Sequence, residues 1–266
     1  MGRLTRTLLT PKRSLPAVLE ISVSIAFGAA LILGWCVATY GGIVSENFLP
    51  PPHMVVMAFV KKMADGSLPK HIGVSLSEIY LGFVLASAVA IPIGIFMGSF
   101  RIVAAAIEPI INFVRYLPVT SMIPLLILWI GIGLEEKVAV IFIGTFFQQV
   151  VMVADVSARV PRDLLDASYT LGASWGQVVT RVLLPATLPG IMDTLRVTMG
   201  WAWTFLVVAE LVAADAGLGY MILQAMRGFH PDVIFVGILV IGILGLLTDR
   251  FFKWVRDYYL SWASTD

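Results

Sequence analysis

The chain has 266 residues, of which 59% are hydrophobic and 13% are charged, about half the charged fraction of a soluble globular domain. Its 18 basic and 17 acidic residues nearly cancel, which argues against a nucleic-acid partner, because such a partner requires a clustered basic surface. The chain has one cysteine, Cys36, so it forms no internal disulfide, and its three histidines are scattered. The composition indicates a membrane protein with no metal and no cofactor of its own.

The first segment, residues 1–17, is basic and precedes an apolar run that extends from near Ile21 to Thr39. That run is longer than the 7–15 residues of a signal-peptide core, and no small-residue cleavage site follows it. We therefore predict a retained first membrane helix, preceded by a cytoplasmic segment.

Six apolar runs are long enough to cross a bilayer, which requires about 20 residues per helix. They cover residues 18–40, 72–98, 105–131, 137–157, 189–213 and 232–255. The third run contains three prolines, so we expect a short amphipathic helix that leads into a shorter span. The predicted fold class is an all-α membrane protein with about six transmembrane helices, a membrane domain over residues 18–256 and a cytoplasmic tail over residues 257–266.

Basic residues set the expected orientation, because cytoplasmic loops are enriched in Lys and Arg. With the N-terminus in the cytoplasm, the inner face carries eleven basic residues and the outer face carries five, among them Lys137. Both termini and the segment 158–188 are then cytoplasmic. On the outer side, FLPPPH at 48–53 predicts a rigid extended segment.

Small residues recur at four-residue spacing in the second span, as Gly82, Ala86, Ala90, Gly94 and Gly98. This spacing allows another helix to approach closely.

The cytoplasmic segment between the fourth and fifth spans predicts a helix, a turn and a second helix. After Pro161, Leu164, Leu165, Ser168 and Leu171 form a modest apolar stripe at helical spacing. Gly172 permits a sharp turn, and a second apolar face begins at Trp175 and ends at Pro185. One open alternative is an interfacial hairpin that lies on the inner leaflet.

This segment resembles the EAA loop of permease subunits of ATP-binding cassette (ABC) importers. The residues that match its spacing are Asp166, Ala167, Ser168, Gly172, Val182, Leu184 and Pro185. Asp replaces Glu at the first position, and Ser replaces the second Ala. The resemblance implies a type I permease fold and a coupling helix, including Leu171 and Trp175, that docks in a groove of a separate ATPase. The chain contains no GxxxxGK[ST] phosphate loop, so ATP and Mg are expected on that partner ATPase.

Outside this loop, residues 48–252 are similar to the sulfonate, taurine and nitrate permease branch. The stretches that carry this similarity include HIGVSLSEIYLGFVLASAVAIPIGIFMG, IPLLILWIGIG and VAELVAADAGLGYMI. The resemblance implies a homodimer in the bacterial inner membrane, two identical ATPases and a periplasmic or lipid-anchored binding protein. It also implies a small, usually anionic cargo: an alkanesulfonate or taurine first, with nitrate, bicarbonate or an aromatic carboxylate as alternatives.

Ionisable residues inside spans are costly and normally face the bundle interior or water. Arg115 lies three residues before Pro118. Its planar guanidinium can donate two hydrogen bonds to one carboxylate, sulfonate or nitrate. The alternative is a salt bridge from Arg115 to Glu78 or Glu108. Glu78 stands where many members of the branch carry Arg, which removes a cation from the expected pathway. Nearer the inner face, Asp193 and Arg196 lie one turn apart and are expected to form a local pair.

Five further residues are candidates for the pathway, each with a structural alternative. His71 and Ser75 share one helical face in the outer half, although a hydrogen-bonded interfacial histidine explains His71 equally simply. Trp201 and Trp203 point to different sides, and one of them could narrow the path, with core packing as the alternative. Glu210 suits an outer gate or a docking surface, or else caps the outer end of a helix.

Two other classes of membrane protein remain as alternatives on the sequence alone. A secondary carrier or channel would need no ATPase, but no buried acid pair or inverted sequence repeat supports it. A scaffolding subunit of a membrane enzyme would require cofactor ligands, which the sequence does not offer. No catalytic arrangement is found, so we expect a transport subunit and not an enzyme.

Overall fold

The computed structural model describes residues 16–260 and residue 262. The predicted cytoplasmic segment 1–17 therefore lies almost wholly outside the described residues, and so does the second half of the predicted tail 257–266. Eleven α-helices are described: α1 Ala17–Tyr40, α2 Pro52–Ala64, α3 Ser67–Ser99, α4 Arg101–Val114, α5 Val119–Ile130, α6 Leu134–Ala158, α7 Arg162–Thr170, α8 Trp175–Val178, α9 Leu184–Ala213, α10 Leu218–Arg227 and α11 Pro231–Tyr259. A π-helical segment, Val179–Leu183, joins α8 to α9.

Five helical segments are long and apolar enough to cross a membrane. They are α1, α3, α6, α11 and the continuous segment Trp175–Ala213. Helices α4 and α5 count as a sixth span if they are taken together, with a bend of 92° between them. The predicted number of about six transmembrane helices is confirmed. The bend lies at the break before α5, where Pro118 disfavours helical geometry in the residue before it.

We call the end of the bundle that carries residues 158–188 the hairpin end, and the opposite end the far end. Two short helices at the far end, α2 and α10, were not predicted. The expectation of an extended segment over 48–53 is wrong in its second half, because α2 begins at Pro52. Proline suits this position, since the first turn of a helix does not need its N–H. Between α2 and α3, Ser67 donates from its N–H (2.8 Å) and its hydroxyl (2.6 Å) to Asp65, which lowers the pKa of that exposed carboxyl.

The most extensive helix contact in the bundle is that between α3 and α6. A Cβ on Gly94 would lie 2.7 Å from Val153 Cβ, and a Cβ on Gly98 would overlap the carbonyl oxygen of Ala154. At the same crossing, Ser99 and Ser157 share a hydrogen bond of 2.7 Å. The predicted close approach along the small residues of the second span is therefore confirmed.

Helix α1 lies at the periphery, and none of its most apolar 18-residue window is buried in the subunit. It is held at the far end, where Trp35 Nε1 donates to the Pro50 carbonyl at 3.0 Å and the Trp35 ring stacks on Phe235 at 5.8 Å. The large apolar side chains along the rest of α1 are exposed, as expected for a helix that faces lipid.

Two ion pairs join α9 to α11 toward the hairpin end. Arg196 binds Asp249 through two hydrogen bonds of 2.5 and 2.9 Å, and Arg256 binds Asp193 at 3.0 Å. The expected local pair between Asp193 and Arg196 is therefore wrong. Each residue instead pairs across the helix interface, with a partner more than 50 residues away in sequence.

Candidate functional site

The hairpin formed by α7 and α8 is the first candidate site. Helix α7 ends in a Schellman motif, in which the Gly172 N–H donates to the Tyr169 carbonyl (2.9 Å) and the Ala173 N–H donates to the Ser168 carbonyl (3.1 Å). Gly172 has a φ of +84°, in the left-handed region that glycine adopts without a Cβ penalty. The predicted helix and turn at Gly172 are confirmed.

The second limb of the hairpin begins with a capping box. Ser174 caps the first turn of α8, and its own backbone N–H donates to the Gln177 side chain at 2.8 Å. The expectation that Pro185 ends this limb is wrong, because the helical segment continues without interruption from Trp175 to Ala213. The wider π turn over Val179–Leu183 comes just before Pro185, where an α-helix would lose a hydrogen bond and meet the proline ring. The hairpin is thus continuous with a membrane-spanning helix.

The residues predicted for coupling divide into two groups by exposure. The first group is exposed: Asp166, Ala167, Leu171, Gly172 and Trp175. The second group is half-buried: Ser168, Val182, Leu184 and Pro185. Leu171 at the turn is 89% exposed, although its side chain is apolar. The predicted apolar stripe of α7 is also divided, since Leu164 and Leu171 are exposed whereas Leu165 packs inward.

The inward face of the hairpin is attached to the ends of the membrane helices. Leu165 and the buried Leu183 pack in a cluster with Ile95 of α3 and Val153 of α6, and the Trp175 ring lies 5.9 Å from Phe100. One face of the hairpin is therefore fixed to the bundle and the other is free. Mechanically, a force on the free face would be carried directly into α3, α6 and α9.

A cavity of about 350 Å³ between α5, α6, α9 and the α4–α5 bend is the second candidate site. It brings together three residues proposed for the pathway: Arg115, Pro118 and Trp201. The structure adds Tyr116, Thr120, Gly144, Gln148 and Phe205 to its walls. Sequence analysis missed Gln148; its signal was a polar side chain near the middle of an apolar run.

Neither acid proposed as a salt-bridge partner of Arg115 pairs with it. Glu78 lies 3.7 Å from Lys137 Nζ, and Glu108 accepts a hydrogen bond from Asn112 at 3.5 Å. The Arg115 guanidinium instead donates to the Tyr116 hydroxyl at 3.1 Å and lies 4.9 Å from the centre of the same ring. The salt-bridge alternative for Arg115 is therefore wrong within the described residues.

Ser75 and Glu210 do not line the cavity, because both are fully buried at the far end of the bundle. Glu210 accepts from the Ser75 hydroxyl and from the Gly219 N–H, both at 2.5 Å, and Ser75 accepts from the Leu218 N–H at 2.9 Å. Gly217, with a φ of +113°, gives room for the carboxylate, since a Cβ there would overlap it. Glu210 thus caps the start of α10. This position agrees with the structural alternative for Glu210, a cap at the end of a helix.

Glu78 and Trp203 also lie in the packed interior. Glu78 is 3% exposed, and its partner Lys137 is 2% exposed and donates to the Gly133 carbonyl at 3.2 Å. Lys137 lies in the first turn of α6 at the far end, the side on which it was predicted, but its ammonium is buried beside Glu78 and not exposed in a loop. Trp203 is 5% exposed and donates to Thr248 at 3.3 Å, so the two tryptophans do point to different sides.

His71 lines a different cavity, of about 370 Å³, at the far end. Its Nδ1 accepts the Gly217 N–H at 3.1 Å. The other walls include Lys61, Lys62 and Asp232. In the described ranges, no group of three or more His, Cys, Asp or Glu side chains is arranged to hold a metal ion.

Residues 90–257 match the family model of the binding-protein-dependent transport system inner membrane component. A "Probable ABC transporter permease protein" of Brucella melitensis is 40% identical over 217 residues, 82% of this chain and 87% of the relative. The taurine transport system permease protein TauC of Escherichia coli is 34% identical over 239 residues, 88% of this chain and 87% of the relative.

The fold is that of a chain in the inward-facing structures of the MetNI methionine ABC transporter. The match has a TM-score of 0.61 and covers 73% of this chain and 98% of the other, and the 22% identity supports a shared fold alone. Permease subunits of this kind are not enzymes themselves. The chain belongs to the family of binding-protein-dependent ABC permeases and, within it, to the branch of sulfonate, taurine and nitrate permeases.

Proposed function

We propose that the chain is the membrane-spanning subunit of an ATP-driven importer and that its hairpin, residues 158–188, docks on a separate ATPase. The hairpin end then faces the cytoplasm, together with both termini, and the protein lies in the bacterial inner membrane. The observation that carries this proposal is the exposure of Leu171, 89%, at the tip of a hairpin whose opposite face is packed against the bundle.

An apolar tip of this kind favours contact with another protein. Leu164, Tyr169 and Trp175 are also exposed around it, and fully burying one such large apolar side chain is worth about 1.5–3 kcal/mol. Arg162 and Asp166 are exposed on the same helix and add charge of both signs to the surface of the hairpin, which suits the mixed polar and apolar surface of a protein groove.

The mechanism follows from the attachment of the hairpin. Two copies of the chain would enclose one pathway, and each would contribute its hairpin to one of two ATPases. Closure of the ATPases around ATP and Mg would move the paired hairpins together, and the motion would pass through the continuous segment Trp175–Ala213 into the bundle. Hydrolysis would reset the assembly. The ATP chemistry belongs to the partner, and the chain transmits motion.

The proposed solute is a small anion delivered by an extracytoplasmic binding protein, with taurine or an alkanesulfonate first. Two observations support it: the taurine permease among the relatives and the positive charge of Arg115 at the wall of the membrane cavity. Nitrate, bicarbonate or an aromatic carboxylate carried by the same machinery is the alternative. The remaining alternative is another type of transport protein, a secondary carrier or channel, which would require no ATPase.

Co-purification tests the docking directly. The chain would be co-expressed with a cassette ATPase from the same genome, and the amount of ATPase retained on the affinity-tagged chain would be measured. Leu171→Asp is expected to reduce that amount at least about tenfold, since one lost apolar contact is worth 1.4 kcal/mol or more. The matched control is Phe229→Asp at the far end, because Phe229 is 90% exposed. Equal retention by both variants would contradict docking through the hairpin.

A further inference from the structure

The cavity beside Arg115 lies near the middle of the membrane. Its wall residues on α6, Ile143 to Gln148, are the central residues of a 25-residue helix. At 1.5 Å per residue, Gly144 lies about 15 Å from the start of α6, which is half of a hydrocarbon core of about 30 Å. On α9, Trp201 lies 12 residues, about 18 Å, before the end of the helix at Ala213. The cavity is therefore distant from both membrane surfaces.

Arg115 is incompletely paired at this depth. It forms no ion pair within the described ranges, and its buried Nε has no hydrogen-bond partner. An arginine at the centre of a membrane helix costs about 2.5–3.5 kcal/mol, and such residues normally pair with an opposite charge. The contact with Tyr116 orients the guanidinium but brings no negative charge. A bound anion would supply the opposite charge that Arg115 lacks among the described residues.

The other walls match an anion that has a compact polar head and a short apolar tail. The Gln148 amide and the Thr120 hydroxyl add neutral donors near Arg115, and Trp201, Phe147 and Phe205 supply an apolar surface. The volume, about 350 Å³, is at the small end of ligand pockets, which hold roughly 300–1,000 Å³. A planar guanidinium fork binds two oxygens of one sulfonate or carboxylate at once, whereas a lysine would act as a point charge.

We propose that this cavity is an oxyanion site within the permease, in which Arg115 selects the solute by charge as it crosses the membrane. The ligand class is a small organic sulfonate or carboxylate. The permease then contributes to selectivity that would otherwise rest with the binding protein alone. The inference deepens the proposed function, and it rests on that function only for the direction of transport, because binding at Arg115 does not depend on an ATPase.

The chain allows a test that does not depend on transport. Cys36→Ser removes the one cysteine of the chain, and Leu117→Cys then places a single thiol at the cavity wall, at an exposed position that the proposed anion contacts do not use. The purified full chain in nanodiscs is reacted with an anionic reagent, sulfonatoethyl methanethiosulfonate, and with its trimethylammonium counterpart. The ratio of the two labelling rates reports the charge of the cavity. Protection is measured with ethanesulfonate and with the neutral ethyl methyl sulfone.

The proposal predicts that the anionic reagent is favoured and that Arg115→Gln lowers the ratio of rates about tenfold or more, as the loss of one nearby charge implies. Ethanesulfonate should protect the thiol and the sulfone should not. Arg115→Lys should keep the ratio and lose the protection, because it retains the charge and loses the fork. Lys253→Gln removes an exposed cation from α11. It should change neither the ratio of labelling rates nor the protection by ethanesulfonate.

Two results would overturn the proposal: a ratio that Arg115→Gln leaves unchanged, or equal protection by ethanesulfonate and the sulfone. Neither result depends on the ATPase. Loss of ATPase binding in the Leu171→Asp experiment would in turn leave these labelling rates unaffected. Failure of the oxyanion site and failure of the proposed function are therefore measured separately.

Discussion

The hydroxyl of Ser75 on α3 donates to the carboxylate of Glu210 on α9 at 2.5 Å, although the two residues are 135 positions apart. The same carboxylate accepts the Gly219 N–H, and the same hydroxyl accepts the Leu218 N–H. Helix α10 is therefore held at its first turn by two side chains from two other helices. The geometry explains why Gly217 and Gly219 stand so close to Glu210, since a Cβ on either would overlap or crowd the carboxylate.

We predict that Glu210→Gln destabilises the subunit. Ser75 and Gly219 donate to different oxygens of the carboxylate, and glutamine replaces one of these oxygens with an NH2 donor. One buried donor then faces another donor and is left unsatisfied, at a cost of about 1–3 kcal/mol. The measurement is the thermal unfolding midpoint of the purified protein in detergent. Glu108→Gln is the control, because Glu108 is exposed. If both variants unfold at the same temperature, the Ser75–Glu210 contact contributes nothing to stability.

The contact between α3 and α6 predicts opposite effects for two glycines of one helix. Gly98→Ala should destabilise the protein by about 1–3 kcal/mol, the usual cost of overpacking, because the new Cβ would overlap the Ala154 carbonyl. Gly73→Ala should be neutral or stabilising by up to about 1 kcal/mol, because nothing lies within 4 Å of its added Cβ. Comparing the two unfolding midpoints tests the close approach, and a stabilised Gly98→Ala variant would contradict it.

A double-mutant cycle tests the corrected ion pairs between α9 and α11. Arg196→Ala combined with Asp249→Ala should give a coupling energy of about 0.2–1 kcal/mol, since both side chains are more than a third exposed. Arg196→Ala combined with Asp193→Ala should give almost none. The free energy of unfolding of each single and double variant supplies the cycle. A coupling energy of the same size between Arg196 and Asp193 would contradict this pairing and support the local pair predicted from the sequence.

The turn of the hairpin predicts a strong dependence on residue type at position 172. Gly172→Val places a β-branched side chain at a φ of +84°, at a cost of about 1–2 kcal/mol in backbone strain. We expect this variant to insert normally in the membrane and to lose most of its ATP-dependent uptake. Gly172→Asn should keep most of it, because Asn tolerates the left-handed region and nothing lies within 4 Å of a Cβ there. Equal uptake by the two variants would contradict a role for the turn.

The sequence predicted the spans and the hairpin well because both follow local rules. Apolar runs define membrane helices from neighbouring residues alone, and Gly172 marks a left-handed turn whatever surrounds it. The small-residue repeat of the second span likewise predicted the close approach of another helix, which the structure identifies as α6. The short helix α10 was missed because its start is fixed by Glu210 and Ser75, not by its own sequence.

The errors lie where pairing is set by tertiary structure. Arg196 and Asp193 satisfy the local rule for a helical pair, yet each pairs with α11, and no spacing in the sequence shows that. Lys137 was counted as a basic residue of an outer loop, and no pattern in the sequence indicated that its side chain is buried beside Glu78. The cavity at Arg115 combines walls from three helices and the α4–α5 bend, so only the arginine itself could be singled out.

The most direct test of the account is uptake of labelled taurine into proteoliposomes that contain the chain, its ATPase and its binding protein. The account predicts accumulation against a gradient that requires ATP and the ATPase and that Leu171→Asp abolishes. Accumulation by the chain alone, driven by an ion gradient in vesicles that lack the ATPase, would contradict it.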